Sequence, residues 1–442
     1  MKRMPPAGLG TEEFRQHAIQ HYGMNLAIAV VDMVQVGFGT NLTKSQEESV
    51  RVSVCRGTPV YVEGNGAFNQ STFEGFKFPT KRGMSFRGLL KPWVEATPEG
   101  KLGVRCGGAG KQYLDMTVCD FLREHETQGT VALHPMNVID LNMALVPGFE
   151  TVKPPNIVKR LSIGHAVEQW YPEAADEFHL TKPVSWYLLM TERGAQTQFH
   201  YDMTGTSVFY QVITGTKEFW IMQNTPNNMN QIDKWNSIPV AKYSSFFADS
   251  MHVNGTCTRL TLHAGDALFL PAGWLHFVYT PEDTVVFGIN FLVAAHMPIF
   301  LSRYVFERAT HKPILSCFPN FEILMILYMH LRMGMKIRPR LKPRKHYPEL
   351  LLAMQFYGGK RSMTTVNFKK LASLVPSFDF PKLFQWANTI PDKTRRAHLV
   401  PLVRDLYLQK APKSPSSSSS SSSSPDDDHS DPDAYLSSDN AQ

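Results

Sequence analysis

Two short pieces of the chain hold residue types that could do chemistry together. The first is Gln198-Phe199-His200-Tyr201-Asp202, and the second is Leu268-Phe269-Leu270-Pro271-Ala272-Gly273-Trp274-Leu275-His276. In a strand, side chains alternate between faces, so His200 and Asp202 point one way and Tyr201 the other. One further histidine from a distant strand, His276, completes a set of two imidazoles and a carboxylate. Such a set leaves three positions open on a non-haem Fe(II), enough for a bidentate co-substrate and dioxygen. Taken bare, the pattern favours surface or hydrogen-bonded histidines, because a chain with 16 His produces it by chance.

The elements around these residues shift that balance. Ser207 to Ile213 and Lys217 to Met222 read as β-rich runs joined by Thr214-Gly215-Thr216, a hairpin signature. A hairpin there brings Tyr210 and Lys217 together across the turn. A lysine beside a tyrosine in an apolar pocket suits the carboxylate of a co-substrate; without His-x-Asp upstream it reads as a solvated hairpin lysine. Ser185 to Met190 reads as a strand carrying Tyr187, and Asn137 to Leu141 as another. Leu114 to Glu126 is expected to be a short helix with Asp115 close to its start. Residues 50–111 have the Gly, Pro and aromatic texture of a loop-rich β segment.

These motifs carry a family resemblance. Thr197 to Asp202, Gly205 to Tyr210, Gly215 with Lys217, Leu270 to His276 and Phe287 to Leu292 resemble the core of the Jumonji C (JmjC) Fe(II)/2-oxoglutarate oxygenases. Pro155-Asn156-Ile157-Val158-Lys159-Arg160-Leu161-Ser162, Trp170-Tyr171-Pro172 and Phe318-Pro319-Asn320-Phe321-Glu322 are similar to the histone lysine demethylase subgroup associated with plant-homeodomain or F-box/CXXC modules. The likeness covers roughly residues 130–330. It departs at Met203-Thr204, where the subgroup has an aromatic residue and Gly, and at Tyr201, where an aliphatic residue is common.

The resemblance implies a mostly β catalytic core, a double-stranded β-helix or cupin-like JmjC barrel, with flanking helices and an α+β chain overall. It implies His200, Asp202 and His276 as Fe(II) ligands, with Lys217, Thr197, Tyr210 and Asn137 around 2-oxoglutarate. Tyr187 matches a tyrosine set against the methylated lysine, where an aromatic face attracts a methylammonium, and Asn290 matches a polar residue beside the iron. On the residues alone, Asn137 reads as well as a turn cap and Tyr187 as a core tyrosine. The implied reaction hydroxylates an N-methyl group of methyl-lysine, releasing formaldehyde, succinate and CO2. Two other readings stay open: a JmjC hydroxylase of a side-chain carbon, and a non-catalytic chromatin scaffold.

Across 442 residues, 43% hydrophobic and 19% charged, the composition is that of a globular chain with ample core material. The net charge is +6, and the tail from Pro412 carries one Lys and six Asp, leaving about +11 on the rest. A basic body suits polyanionic surroundings such as chromatin. Five scattered Cys without a C-x-x-C point to a reducing compartment and away from a zinc finger. Pro5 and Pro6 follow the basic Met1-Lys2-Arg3, so no secretory leader is expected. The apolar run Leu26 to Val36 is too short to cross a bilayer and reads as a buried or partner-binding helix.

The expected organisation is a helical N-terminal element over 1–49, the N-terminal part of the catalytic region over 50–182 and the β-helix core over 183–295. A helical region over 296–411 follows, then a disordered Ser/Asp-rich tail over 412–442. Helical spacing marks Ile299 to Arg308 and Phe321 to Met335. Lys336 to His346 is a basic loop, with six Lys and Arg in the ten residues from Lys336 to Lys345. It reads as a nuclear-import signal or polyanion contact, and equally as a solvated linker. The expected partners are methylated histone tails or nucleosomes in the nucleus. With no reader finger present, targeting falls to the JmjC domain, the basic loop or a separate chromatin-reading partner.

Overall fold

The computed structural model describes residues 15–16, 19–20, 31–36, 40–64, 68, 72–79, 84–106, 112–127, 135–143, 146–149, 151–172, 186–237, 247, 257–309, 318, 321, 323–325, 327–328 and 388. Its strands are β1 (Asp32–Gln35), β2 (Val60–Glu63), β3 (Lys101–Cys106), β4 (Gln112–Thr117), β5 (Asn137–Asn142), β6 (Trp186–Thr191) and β7 (Gln196–His200). They continue as β8 (Ser207–Thr214), β9 (Thr216–Met222), β10 (Thr258–His263), β11 (Ala267–Leu270), β12 (Leu275–Tyr279) and β13 (Thr284–Phe291). Helices α1 (Lys44–Arg56), α2 (Phe86–Ala96), α3 (Val118–Thr127), α4 (Asn156–Leu161) and α5 (Ile163–Trp170) precede β6. Helix α6 (Pro226–Asn236) follows β9, and α7 (Met297–Ala309) follows β13.

A nine-stranded sheet, in the order β1-β2-β11-β8-β13-β6-β5-β3-β4, faces a four-stranded sheet in the order β10-β9-β12-β7. Side-chain alternation lets the same strands wall a cavity and fill a core. On β8, Tyr210 and Val212 face the small sheet, where Phe219, Ile221, Leu260 and Leu262 meet them. Phe209 and Ile213 point the other way, into the cluster shared with the N-terminal helices. On the small sheet, Trp220 and Phe277 turn outward beneath Met229, Ile232 and Trp235 of α6. Each such fully buried side chain contributes about 1.5–3 kcal/mol relative to exposure.

Local signals explain where the helices begin and end. Thr43 and Gln46 form a reciprocal capping box at the start of α1, and Gly57 ends it at φ +82°. The Gly57 carbonyl then accepts from Trp274 Nε1 at 3.0 Å, tying α1 to the turn that leads into His276. Thr225 caps α6, with Pro226 in its first turn.

Several expectations need correction. Thr214-Gly215-Thr216 is not a hairpin turn: β8 pairs with β11 and β13, and β9 with β10 and β12. The chain steps there from one sheet to the other. Gly215 has φ +79°, and a Cβ on it would lie 2.3 Å from the Asp283 carbonyl oxygen. Nearly every residue of β8 and all of β9 are buried, so no polar face favoured pairing the two runs with each other. Asp115 lies in β4 opposite Gly103, and α3 starts only at Val118, where Thr117 Oγ1 accepts from the Asp120 amide at 3.0 Å. Asp32–Gln35, inside the run expected to be helical, is a strand parallel to β2. The end of α1 and the whole of α2 fall within the segment read as loop-rich β.

The helical reading of Ile299 to Arg308 agrees with α7, and the described positions between 321 and 328 are helical. Arg15 pairs with Glu218 at 2.7 Å, and Ile19 packs on the outer cluster of the small sheet. The basic loop 336–346, the segment 347–410 apart from residue 388, and the tail 412–442 lie outside the described residues.

Candidate metal centre

Strands β7 and β12 lie side by side with His276 opposite His200, which brings the two imidazole centroids to 4.1 Å. Asp202 follows just beyond β7. Its Oδ1 lies 4.0 Å from His200 Nε2, and its Oδ2 3.9 Å from His276 Nε2. One ligand atom from each residue lies within 4.8 Å of the others, so a single ion can touch all three after small side-chain adjustments.

The tautomers follow from the backbone. His200 Nδ1 lies 2.8 Å from the Gln198 carbonyl oxygen, and His276 Nδ1 3.2 Å from that of Trp274. A carbonyl oxygen only accepts, so each Nδ1 carries the proton and each Nε2 keeps its lone pair. Burial lowers both imidazoles to about 4, and the neighbouring His276 lowers His200 further. Burial pushes the Asp202 carboxyl up, while His200 and a hydrogen bond from Asn290 oppose the rise. Two neutral imidazoles and a carboxylate on one side of an open cavity fit a divalent first-row ion such as Fe(II).

Thr197 lies three residues before His200, and strict alternation would put it on the opposite face. The ladder between β12 and β7 runs from His276–His200 to Val278–Thr197, two residues on one strand against three on the other. That bulge turns Thr197 onto the side of His200. His200, Asp202, His276, Thr197, Lys217, Tyr210, Asn137, Tyr187 and Asn290 all line one cavity of about 270 Å³.

Lys217 sits deep in this cavity. Its Nζ donates to Thr280 Oγ1 at 2.7 Å, and no carboxylate among the described residues pairs with it. Burial pulls its ammonium well below the ordinary lysine range. Tyr210 packs its ring edge-on against Phe219 at 5.0 Å, and burial pushes its phenol up, so the hydroxyl stays neutral. Asn137 accepts from Thr191 Oγ1 at 2.9 Å and donates to Thr197 Oγ1 at 3.3 Å, which orients both threonines. Asn290 Nδ2 donates to Thr206 Oγ1 at 2.8 Å.

Two residues of the site, Thr280 beside Lys217 and Arg105 on the cavity wall, had not been anticipated. Thr280 has the parity of His276 and Val278, a signal that strand alternation offered. Arg105 lines the cavity from β3, opposite Asn137 in the ladder, and its charge contributes to lowering His200. Nothing in the sequence near Arg105 marks it.

The departures from the family pattern have structural counterparts. Thr204 stands where the subgroup has Gly, and it adopts φ +57°, a conformation costing about 1–2 kcal/mol for a residue with a Cβ. Glu307 of α7 holds it there. The Thr204 amide donates to both carboxylate oxygens at 2.9 and 3.0 Å, and the Thr204 hydroxyl accepts from the Phe318 amide at 2.7 Å. Met203 places its sulfur 3.8 Å from the Tyr187 hydroxyl. Tyr201 turns outward beneath Arg303, whose guanidinium carbon lies 5.5 Å from the ring centroid.

The two facing sheets and the cavity between them define the class: residues 113–293 match a family described as a cupin-like domain. Over part of its length the chain is similar to proteins named as lysine-specific or JmjC domain-containing histone demethylases, in agreement with the motifs. It is 35% identical over 190 residues to lysine-specific demethylase 7A of Xenopus tropicalis, covering 43% of this chain and 20% of that protein. It is 34% identical over 195 residues to JmjC domain-containing histone demethylation protein 1 of Saccharomyces cerevisiae, covering 43% and 39%. A third relative, histone lysine demethylase PHF8 of Danio rerio, is 35% identical over 188 residues, covering 42% and 17%. The chain thus matches between about a sixth and two fifths of the length of these relatives.

Proposed function

We propose that this chain is an Fe(II)- and 2-oxoglutarate-dependent dioxygenase that demethylates methyl-lysine in histone tails, acting on chromatin in the nucleus. The observation that carries the reading is one cavity holding both a converging His200, Asp202 and His276 and a buried Lys217 that no carboxylate among the described residues pairs with. The bound iron and co-substrate would supply the oxidising chemistry.

In this reading His200, Asp202 and His276 hold the metal through Nε2, a carboxylate oxygen and Nε2. Lys217 receives the distal carboxylate of 2-oxoglutarate, with Tyr210, Thr197 and Asn137 completing its hydrogen bonds. Tyr187 presents its face to the methylammonium, and Asn290 lies beside the metal ligands. Leu189, Phe219, Leu268 and Val278 line the same cavity and keep water from it. Dioxygen and 2-oxoglutarate are consumed, and one oxygen atom enters the N-methyl group. The carbinolamine then loses formaldehyde to leave lysine, with succinate and CO2 as the other products. The organisation into 1–49, 50–182, 183–295, 296–411 and 412–442 remains part of this proposal.

A side-chain carbon hydroxylase is the second reading. It is kept because Met203, at the Tyr187 end of the cavity, departs from the subgroup pattern. Mass spectrometry of methylated histone-tail peptides incubated with the protein, iron and 2-oxoglutarate separates the two. A demethylase removes roughly 14 Da and releases formaldehyde, whereas a hydroxylase leaves a stable gain of roughly 16 Da. The double change His200→Ala with Asp202→Ala should abolish iron binding and turnover while the fold persists. Full turnover in that variant would sink the metal assignment.

A further inference from the structure

Beyond the rim of the metal-site cavity lies a second one of about 440 Å³, and Asn290 lines both. Strand β13 accounts for the pairing. Gly288 and Asn290 face the metal ligands, while Ile289 and Phe291 wall the second cavity. Helices α4 and α5 roof it, fastened to the end of β13 where the Ile163 amide donates to the Leu292 carbonyl at 2.9 Å. Trp186 adds an aromatic wall.

Inside, cations outnumber carboxylates. Lys153 and Lys159 both line the cavity, and neither has a carboxylate within ion-pair distance among the described residues. Glu168 also lines it, but His165 Nδ1 engages its Oε2 at 2.9 Å. Burial, and then the nearby charge of Lys153, lower the ammonium of Lys159, while the charge of Glu168 raises it. Two lysines thus face one carboxylate in an aromatic-walled space, leaving an excess of positive charge on the far side of Asn290 from the metal ligands.

We propose that this second cavity is a subsite for an anionic side chain, acidic or phosphorylated, carried by the substrate peptide within a few residues of its methyl-lysine. The inference rests on the reading that the first cavity takes the methyl-lysine. A basic neighbour at this position would add a third cation to the pair. An anionic one balances the excess positive charge, and a dianionic phosphate can meet both lysines at once.

The test uses labelled methyl-lysine peptides identical but for a Ser, Glu or phosphoserine moved stepwise along the flanks, with Kd read by fluorescence anisotropy without turnover. At one or two positions the anionic peptides should bind about five- to tenfold more tightly than the Ser peptide, with the gap shrinking as salt rises. Phosphoserine ahead of Glu identifies phosphate as the ligand; equal gains identify any carboxylate or phosphate. In Lys153→Gln with Lys159→Gln the three peptides should bind alike, and in the double Lys→Arg variant the preference should return. Equal Kd values at every position, absence of binding by all peptides, or a preference that survives the Gln changes would overturn the subsite. Formaldehyde release from the Ser peptide reports on the demethylase reading separately. Release without anion preference removes only the subsite, and anion preference without release removes only the demethylase.

Discussion

A lysine ammonium taken out of water, with a threonine hydroxyl as its hydrogen-bond partner, is unstable unless it sheds its proton or meets an anion. Lys217 is in that position, with its ammonium pulled well below the ordinary lysine value. A bound carboxylate would restore the charge, so binding of 2-oxoglutarate should take up a proton. Between the free and bound pKa values the affinity should therefore fall as pH rises, by up to about tenfold per pH unit. Calorimetry in two buffers of different ionisation enthalpy, with a divalent ion that does not turn over, reads this uptake directly; a heat independent of buffer contradicts it. Lys217→Ala should weaken 2-oxoglutarate by roughly 3–5 kcal/mol and peptide far less, since it breaks a buried charged pair. Unchanged co-substrate affinity would assign the anchor to another residue.

At the scale of elements, the wall of the site is held by contacts between segments that no local pattern links. His125 of α3 reaches Glu192 at the end of β6, with Nδ1 2.7 Å from Oε1, while Glu192 Oε2 accepts from the Met136 amide at 2.7 Å. Phe86 of α2 packs on the His125 ring at 4.6 Å. The Glu192 hydrogen bond raises the His125 pKa above its ordinary 6.5. A raised folded-state value means stability that is complete below the unfolded pKa and lost as pH rises through the folded one. His125→Gln should therefore lower stability by about 1 kcal/mol at pH 5.5. The deficit should shrink above the folded-state pKa. Denaturant unfolding of both proteins across pH 5.5–8.5 checks this (roughly the span a histidine titrates over), and a deficit that grows with pH would reverse the assignment.

For the molecule as a whole, the proposed function requires a means of reaching chromatin. The basic loop Lys336 to His346, read from sequence, is the candidate. If it is an import signal, changing Arg340, Lys342, Arg344 and Lys345 to Ala should hold the protein in the cytoplasm while peptide turnover matches the parent. If it touches nucleosomal phosphates, the variant should enter the nucleus but lose nucleosome activity, with a salt slope shallower by about one per lost contact. Imaging and nucleosome-binding titrations distinguish the two, and parental behaviour in both would make the run a solvated linker.

The sequence by itself pointed to the candidate donor set and to the family resemblance, because ligand chemistry is written in short segments: His200 and Asp202 two apart, His276 after a Pro-Ala-Gly turn, Lys217 beside Gly215. It also determined most core strands, since buried β runs of the kind in β8, β12 and β13 are dense in apolar residues. Tertiary structure alone decided which strands pair. The apolar faces of β8 and β9 are compatible with several partners, and only the competition among all strands sends them to opposite sheets. The bulge that aims Thr197 is a mismatch between β7 and β12 and exists in neither strand taken singly. Arg105, Glu192 and Glu307 likewise acquire their places only when segments distant in sequence close on the cavity, because burial and hydrogen bonding depend on what arrives from elsewhere in the chain.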